Sequence, residues 1–200
     1  MTNGTATPDD DSNSAGRSAC PTIELTELLA EFYDLDAVGS QLGDFSNADT
    51  IPEPYNGILN HCEHMTETVE AYHGEPVDVH VQRCHKRDNW YCREILLATR
   101  QSHRIALYGI VRLRIDALQP ECWRRIEEQS TPLGKVLIEH NVHRDVQLCQ
   151  LWKVQAGPCL STMMRTQVGD TMYGRTALIF YNGEPAIQLL EIAGAALPES

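Results

Sequence analysis

Two charged residues stand where strands should bury them. In Trp90-Tyr91-Cys92-Arg93-Glu94-Ile95-Leu96-Leu97 the arginine alternates in phase with Tyr91, Ile95 and Leu97. In Ala186-Ile187-Gln188-Leu189-Leu190-Glu191-Ile192 the glutamate alternates in phase with Ile187 and Leu189. Successive strand side chains point to opposite faces, so Arg93 and Glu191 are both directed toward an apolar layer. A charge in such a layer needs a counter-charge or a ligand. Arginine is suited to bidentate capture of a carboxylate. A protonated Glu191 could donate to a departing oxygen; an ionised one could only accept a hydrogen bond or orient a neighbour. Two arrangements satisfy the pattern: a small anionic molecule held between the two charges, or a mutual buried ion pair.

The elements that must position these residues follow from periodicity. Residues 1–20 are polar and acidic, with almost no apolar content, and are expected to form a disordered tail. That leaves 21–200 as one domain. Ile23, Leu25, Leu28, Leu29 and Phe32 have helical spacing and predict a helix over 22–34. Residues 36–52 read as a loop, and a helix follows over 53–72, with Pro54 near its start and Gly74 just past its end. The pattern then turns to alternation at Val77, Val79 and Val81. Strands are predicted at 90–99 and 104–115, joined as a hairpin by 100–103. Helical segments at 120–129 and 135–140 flank Pro132-Leu133-Gly134. Further strands fall at 145–156, 173–181 and 186–193, the last two joined by the hairpin signal Asn182-Gly183. Residues 157–171 read as a connecting segment. Helices first and antiparallel strands later indicate an α+β fold.

Composition bounds the partners. The formal net charge of −12 argues against non-specific binding to nucleic acid or anionic membranes. No apolar run approaches the roughly 20 residues of a membrane span. The N-terminus lacks the basic and apolar regions of a secretion signal, so a cytoplasmic location is expected. Seven cysteines without a Cys-x-x-Cys pair then read as reduced thiols. His61, Cys62 and His64 lie close together, as do His80, Cys84 and His85, but neither group has a recognised zinc spacing. No metal and no cofactor is expected.

Taken in order, Trp90 to Leu97, Thr131-Pro132-Leu133-Gly134, Tyr173-Gly174-Arg175, and Gly183-Glu184-Pro185 running into Leu189-Leu190-Glu191 resemble chorismate pyruvate-lyase (4-hydroxybenzoate synthase). The likeness is to a divergent bacterial and archaeal branch of the chorismate-lyase-like superfamily and covers residues 53–192. His64-Met65-Thr66 fits that family's helix before the first long strand. The resemblance implies a six-stranded antiparallel sheet with helices packed on it, and cofactor-free conversion of chorismate to 4-hydroxybenzoate and pyruvate. Residue by residue, it implies that Arg93 grips a substrate carboxylate and that Glu191 lies near the hydroxyl or ether-oxygen end of the ring; these two would be catalytic. Met65 and Leu133 would line the substrate pocket with backbone groups contributing, and Arg175 would contact a second carboxylate or form a structural pair. Loss of pyruvate aromatises the ring, so such an enzyme mainly holds a reactive conformer and stabilises charge on the ether oxygen. The segment 157–171 is longer than in compact family members, which bears on how the pocket is covered.

A second reading belongs to another class. The same fold serves as a small-molecule sensor domain in transcription regulators, which makes a non-catalytic binder of aromatic acids the alternative. The roughly 50 residues before the matched segment are acidic, show one helix, and give no sign of a DNA-binding partner domain. Either way the expected partner is a small molecule (chorismate, in the first reading), with no nucleic acid and no membrane. Pairing of subunits through an exposed face of the sheet is the expected route to a homo-oligomer.

Overall fold

The alternating segments pair into a single antiparallel sheet, flanked by short helices. The computed structural model describes residues 23–140 and 144–196; the expected tail over 1–20 lies outside the described residues. The strands are β1 (Gly43–Ala48), β2 (Val77–Arg87), β3 (Trp90–Thr99), β4 (Ile105–Arg114), β5 (Arg144–Ala156), β6 (Thr171–Tyr181) and β7 (Glu184–Ala193). Their order across the sheet is β1-β5-β6-β7-β4-β3-β2, and every neighbouring pair is antiparallel.

The sheet therefore has seven strands rather than the expected six. The added strand is β1, from the stretch read as a loop. Its sequence Gly-Asp-Phe-Ser-Asn-Ala carries no apolar alternation because most of it is not buried. It pairs from Gly43–Ala156 to Ala48–Leu151 along β5. Gly43 has φ of 130°, and a Cβ there would lie 2.1 Å from the Gln155 carbonyl oxygen, so only glycine opens this strand without strain.

Helices cover both faces. On one side lie α1 (Leu25–Leu29), α2 (Val38–Gln41) and α7 (Pro158–Met164). They set Leu28, Leu29, Leu42 and Leu160 against Leu96, Tyr108, Ile110, Leu190 and Ile192. On the other side lie α3 (Tyr55–Leu59), α4 (Met65–His73), α5 (Pro120–Glu127) and α6 (Leu133–Glu139). Here α3 and α4 bury Leu59, Met65 and Val69 over Ile95, Leu97 and Leu107. The α5–α6 pair buries Cys122, Ile126, Val136 and Leu137 over Val111, Leu113, Ile187 and Leu189. Among the described residues both faces of the sheet carry packed helices, and its edge strands are β1 and β2.

Three helical expectations change. The first helix is regular only over Leu25–Leu29 and continues as turns to Tyr33. The segment 53–72 is two helices, α3 and α4, interrupted at 60–64; Gly74 caps the second in the left-handed conformation. The connection 157–171 contains α7, opened by Pro158 and ended by Arg165 at positive φ. Among the described residues no helix is long and apolar enough to cross a membrane.

Leu190 is fully buried on β7 under α1 and α7. Leu190→Ala is expected to lower unfolding stability by about 2–5 kcal/mol, read as a lower urea midpoint at an unchanged denaturant slope.

Candidate functional site

Strand register builds the site. Ile95 faces Gly109, Gly109 faces Glu191, Glu191 faces Arg175 and Arg175 faces Leu151, giving one row across five strands. The next row on the same face runs Arg93, Val111, Leu189, Ala177 and Leu148. Gly109 leaves the space between Ile95 and Glu191 without a side chain. Arg93 and Glu191 thus share a face, as alternation required, but β4 separates their strands and they occupy different rows.

Arg175 is the organising group. It is 1% exposed, and its Nε donates to Glu191 Oε2 at 2.7 Å. Its Nη1 donates to the carbonyls of Leu59 at 3.3 Å and His61 at 2.7 Å, and its Nη2 to that of Glu63 at 3.3 Å. These are the carbonyls freed where the α3–α4 helix is interrupted, so one buried guanidinium satisfies both the break and the carboxylate. His61 sits in the same break. Its Nε2 donates to the Ile58 carbonyl at 2.6 Å, and its Nδ1 accepts from the Glu63 amide at 3.1 Å. Burial first, and then the Arg175 charge, holds the imidazole below its ordinary pKa.

A cavity of about 40 Å³ lies over this part of the sheet, between residues 63–66 at the start of α4 and 132–134 at the start of α6. Met65, Leu133, Arg175 and Glu191 all line it, together with Ile95 and Val111. Helix α4 begins at His64 with no side-chain cap. The two helix starts touch: a Cβ on Gly134 would lie 2.9 Å from Thr66 Oγ1.

Arg93 lies beyond the cavity wall, next to Val111. It is fully buried, and its Nε, Nη1 and Nη2 make no hydrogen bond of regular geometry among the described residues. Burial works against its charge, and interaction with the Tyr91 hydroxyl offsets only part of this. That hydroxyl itself accepts from Gln129 Nε2 at 3.0 Å. The mutual Arg93–Glu191 pair is not formed; Glu191 pairs with Arg175 instead.

The opposite face carries a buried polar network that the sequence reading did not single out. Glu94 accepts from Tyr108 at 2.7 Å, from Arg83 Nε at 2.7 Å and from the Tyr33 hydroxyl. Burial acts to raise its pKa, but hydrogen bonds from Arg83, Tyr33 and Tyr108 outweigh it and hold the carboxyl below its ordinary value. The signal was present: Glu94 alternates to the face opposite Arg93, in phase with buried Cys92 and Leu96.

Neither a protein-family model nor a curated protein matches this chain. Solved structures do. PhnF from Mycobacterium smegmatis aligns over 70% of this chain and 70% of its own, with a TM-score of 0.53 and 9% identity. The effector domain of the same protein aligns over 69% of this chain and 96% of its own, with a TM-score of 0.51 and 10% identity. The C-terminal domain of the histidine utilization repressor from Pseudomonas syringae pv. tomato aligns over 62% of this chain and 97% of its own, with a TM-score of 0.45 and 8% identity. The α+β fold, an antiparallel sheet with helices packed on it, is the one these structures share. The expectation of a lyase is thereby corrected: the structures this chain resembles include an effector domain rather than a lyase. The geometry gives a physical reason. Glu191 is already engaged by Arg175 and is not free to act on a substrate.

Two outcomes follow from the Arg175 cluster. Arg175→Met leaves Glu191 buried without a counter-charge and is expected to destabilise the fold by about 3–5 kcal/mol in guanidinium unfolding. The depressed pKa of His61 means that, as pH falls below the ordinary value of 6.5, the unfolded chain takes up the proton before the folded one. Stability should therefore be flat above that value and fall below it. His73 acts in the same direction through its own burial. Melting temperatures across this range should decline less steeply in His61→Gln than in the parent chain.

Proposed function

We propose that this domain is a non-catalytic binding module for a small organic anion, an aromatic acid being the best fit. The observation that carries the reading is Arg93: a fully buried guanidinium with no regular hydrogen bond, on the same sheet face as a cavity. A buried charge is normally paired, and one compensated only in part by the Tyr91 hydroxyl is poised for a carboxylate or phosphate arriving from outside. In this reading the ligand parts α4 from α6, and its anionic group reaches Arg93 past Val111. Its apolar body lies between Met65 and Leu133, while the Arg175–Glu191 pair supplies the polar wall. The likeness to the effector domain of PhnF supports the same kind of use, since an effector domain holds a small molecule without transforming it.

The test is Arg93→Met. In the ligand-free protein the variant should be as stable as the parent, or more stable by about 1–4 kcal/mol, because an uncompensated buried charge is replaced by an apolar chain of similar length. A panel of aromatic and phosphorylated acids is screened by thermal shift and calorimetry. An acid that stabilises the parent should bind the variant at least tenfold more weakly. A strongly destabilised variant that still binds the acid as tightly would assign Arg93 a structural role and overturn the proposal.

A further inference from the structure

On the face opposite the cavity, three side chains far apart in sequence converge. His85 on β2 stands directly across from Cys92 on β3. Glu31, in the turns after α1, lies over both, with its Oε2 3.0 Å from His85 Nε2. The Glu31, His85 and Cys92 ligand atoms all lie within 4.8 Å of one another. We propose that Glu31, His85 and Cys92 form a binding site for a divalent ion of the zinc class. This is independent of the anion-binding reading.

The donor set selects the ion. One thiolate, one imidazole and one carboxylate suit zinc, whereas an all-oxygen set would suit magnesium or calcium. Zinc bonds of about 2.0–2.3 Å place neighbouring tetrahedral ligands about 3.3–3.8 Å apart, so the 3.0 Å between Glu31 and His85 need widen by only a few tenths of an ångström. His85 and Glu31 are partly exposed while Cys92 is buried, which leaves the fourth position open toward solvent. Coordination breaks the Cys92 S–H bond, releases the proton to water and forms the metal–sulfur bond; no electron is transferred.

The surroundings fit a metal's second shell. Arg112 Nε lies 3.0 Å from Glu31 Oε1, the oxygen not turned toward His85, and fixes the carboxylate as an outer partner does. That arginine, which stands across from Cys92 on β4, is itself paired with Glu27 at 3.3 Å and stacks 4.2 Å over Trp90. The ring of Phe32 packs edge-on to His85 at 5.1 Å and holds its orientation. Cys84, the neighbour of His85 in sequence, does not join; it stands opposite Arg93 and meets Gln129 on the other side of the sheet.

The 200-residue chain, stripped by chelator and kept reduced with a non-thiol reductant, is titrated with cobalt(II). The expected result is a thiolate-to-cobalt charge-transfer band that saturates at one equivalent and is abolished by zinc. Cys92→Ser should lose this band, and His85→Ala should bind cobalt at least tenfold more weakly. Absence of the band in the parent, or an undiminished band in folded Cys92→Ser arising from the exposed Cys62, Cys84 or Cys159, would overturn the site. Should Cys92→Ser fail to fold, the partly exposed His85 decides: unchanged cobalt affinity in His85→Ala overturns the proposal.

Discussion

The side of the fold that carries the cavity depends on one guanidinium. Arg175 holds Glu191 across the β6–β7 ladder and at the same time closes the carbonyls of Leu59, His61 and Glu63. An interrupted helix over a sheet would otherwise bury open backbone acceptors, each worth a desolvation penalty of about 1–3 kcal/mol. Placing the charge on β6 fixes where the interruption falls. That in turn sets Met65 at the first turn of α4 and brings it against the start of α6. The cavity is the space left between these two helix starts, and its polar wall is the ion pair that made them meet.

Three buried charges of the sheet are thus treated in different ways. Arg175 is saturated by a carboxylate and backbone carbonyls. Glu94, on the opposite face, is saturated by two tyrosines and Arg83. Arg93 alone among them is left with an interaction from Tyr91 that does not offset its burial. The contrast matters because the same strand, β3, carries both outcomes at adjacent positions. A chain able to satisfy Glu94 so fully does not leave Arg93 open for want of polar residues; Tyr91 and Cys84 lie near it, and both accept from Gln129.

Much of this was legible in the sequence. Alternation placed β2 to β7, and the phase of Arg93 and Glu191 put both on one buried face. The order of helices and strands indicated the α+β class with an antiparallel sheet, though not its seventh strand, and Met65, Leu133, Arg175 and Glu191 come together at one cavity. What periodicity could not show was pairing. Glu191 could have met Arg93 or Arg175, and only the register of β6 on β7 decides for Arg175. Strand β1 was hidden because an edge strand with mostly unburied side chains has no pattern to read. The break at 60–64 was hidden because Asn60 to His64 contain no Gly or Pro to mark it, and the group that stabilises the break lies more than a hundred residues further along. Activity was the weakest inference for a related reason: motifs that build a fold recur in proteins that use it differently.

The state of the donors argues for binding over catalysis. An enzyme of the expected kind needs groups that strengthen their contacts as charge develops in the transition state. Here Glu191 and Arg175 have already spent that capacity on each other and on the backbone. Redirecting them would break a buried pair, which costs about 3–5 kcal/mol, more than such a contact could return to the reaction. Arg93 is in the opposite condition, since a ligand's anionic group would give its donors the partner that the protein withholds. The binding free energy is then drawn from a charge the fold already buries at a disadvantage, and it can be applied to separating α4 from α6, which touch at Thr66 and Gly134. A ligand that stabilises one helix arrangement over another in this way changes the population of conformers without any chemical step, which is what a sensing domain requires.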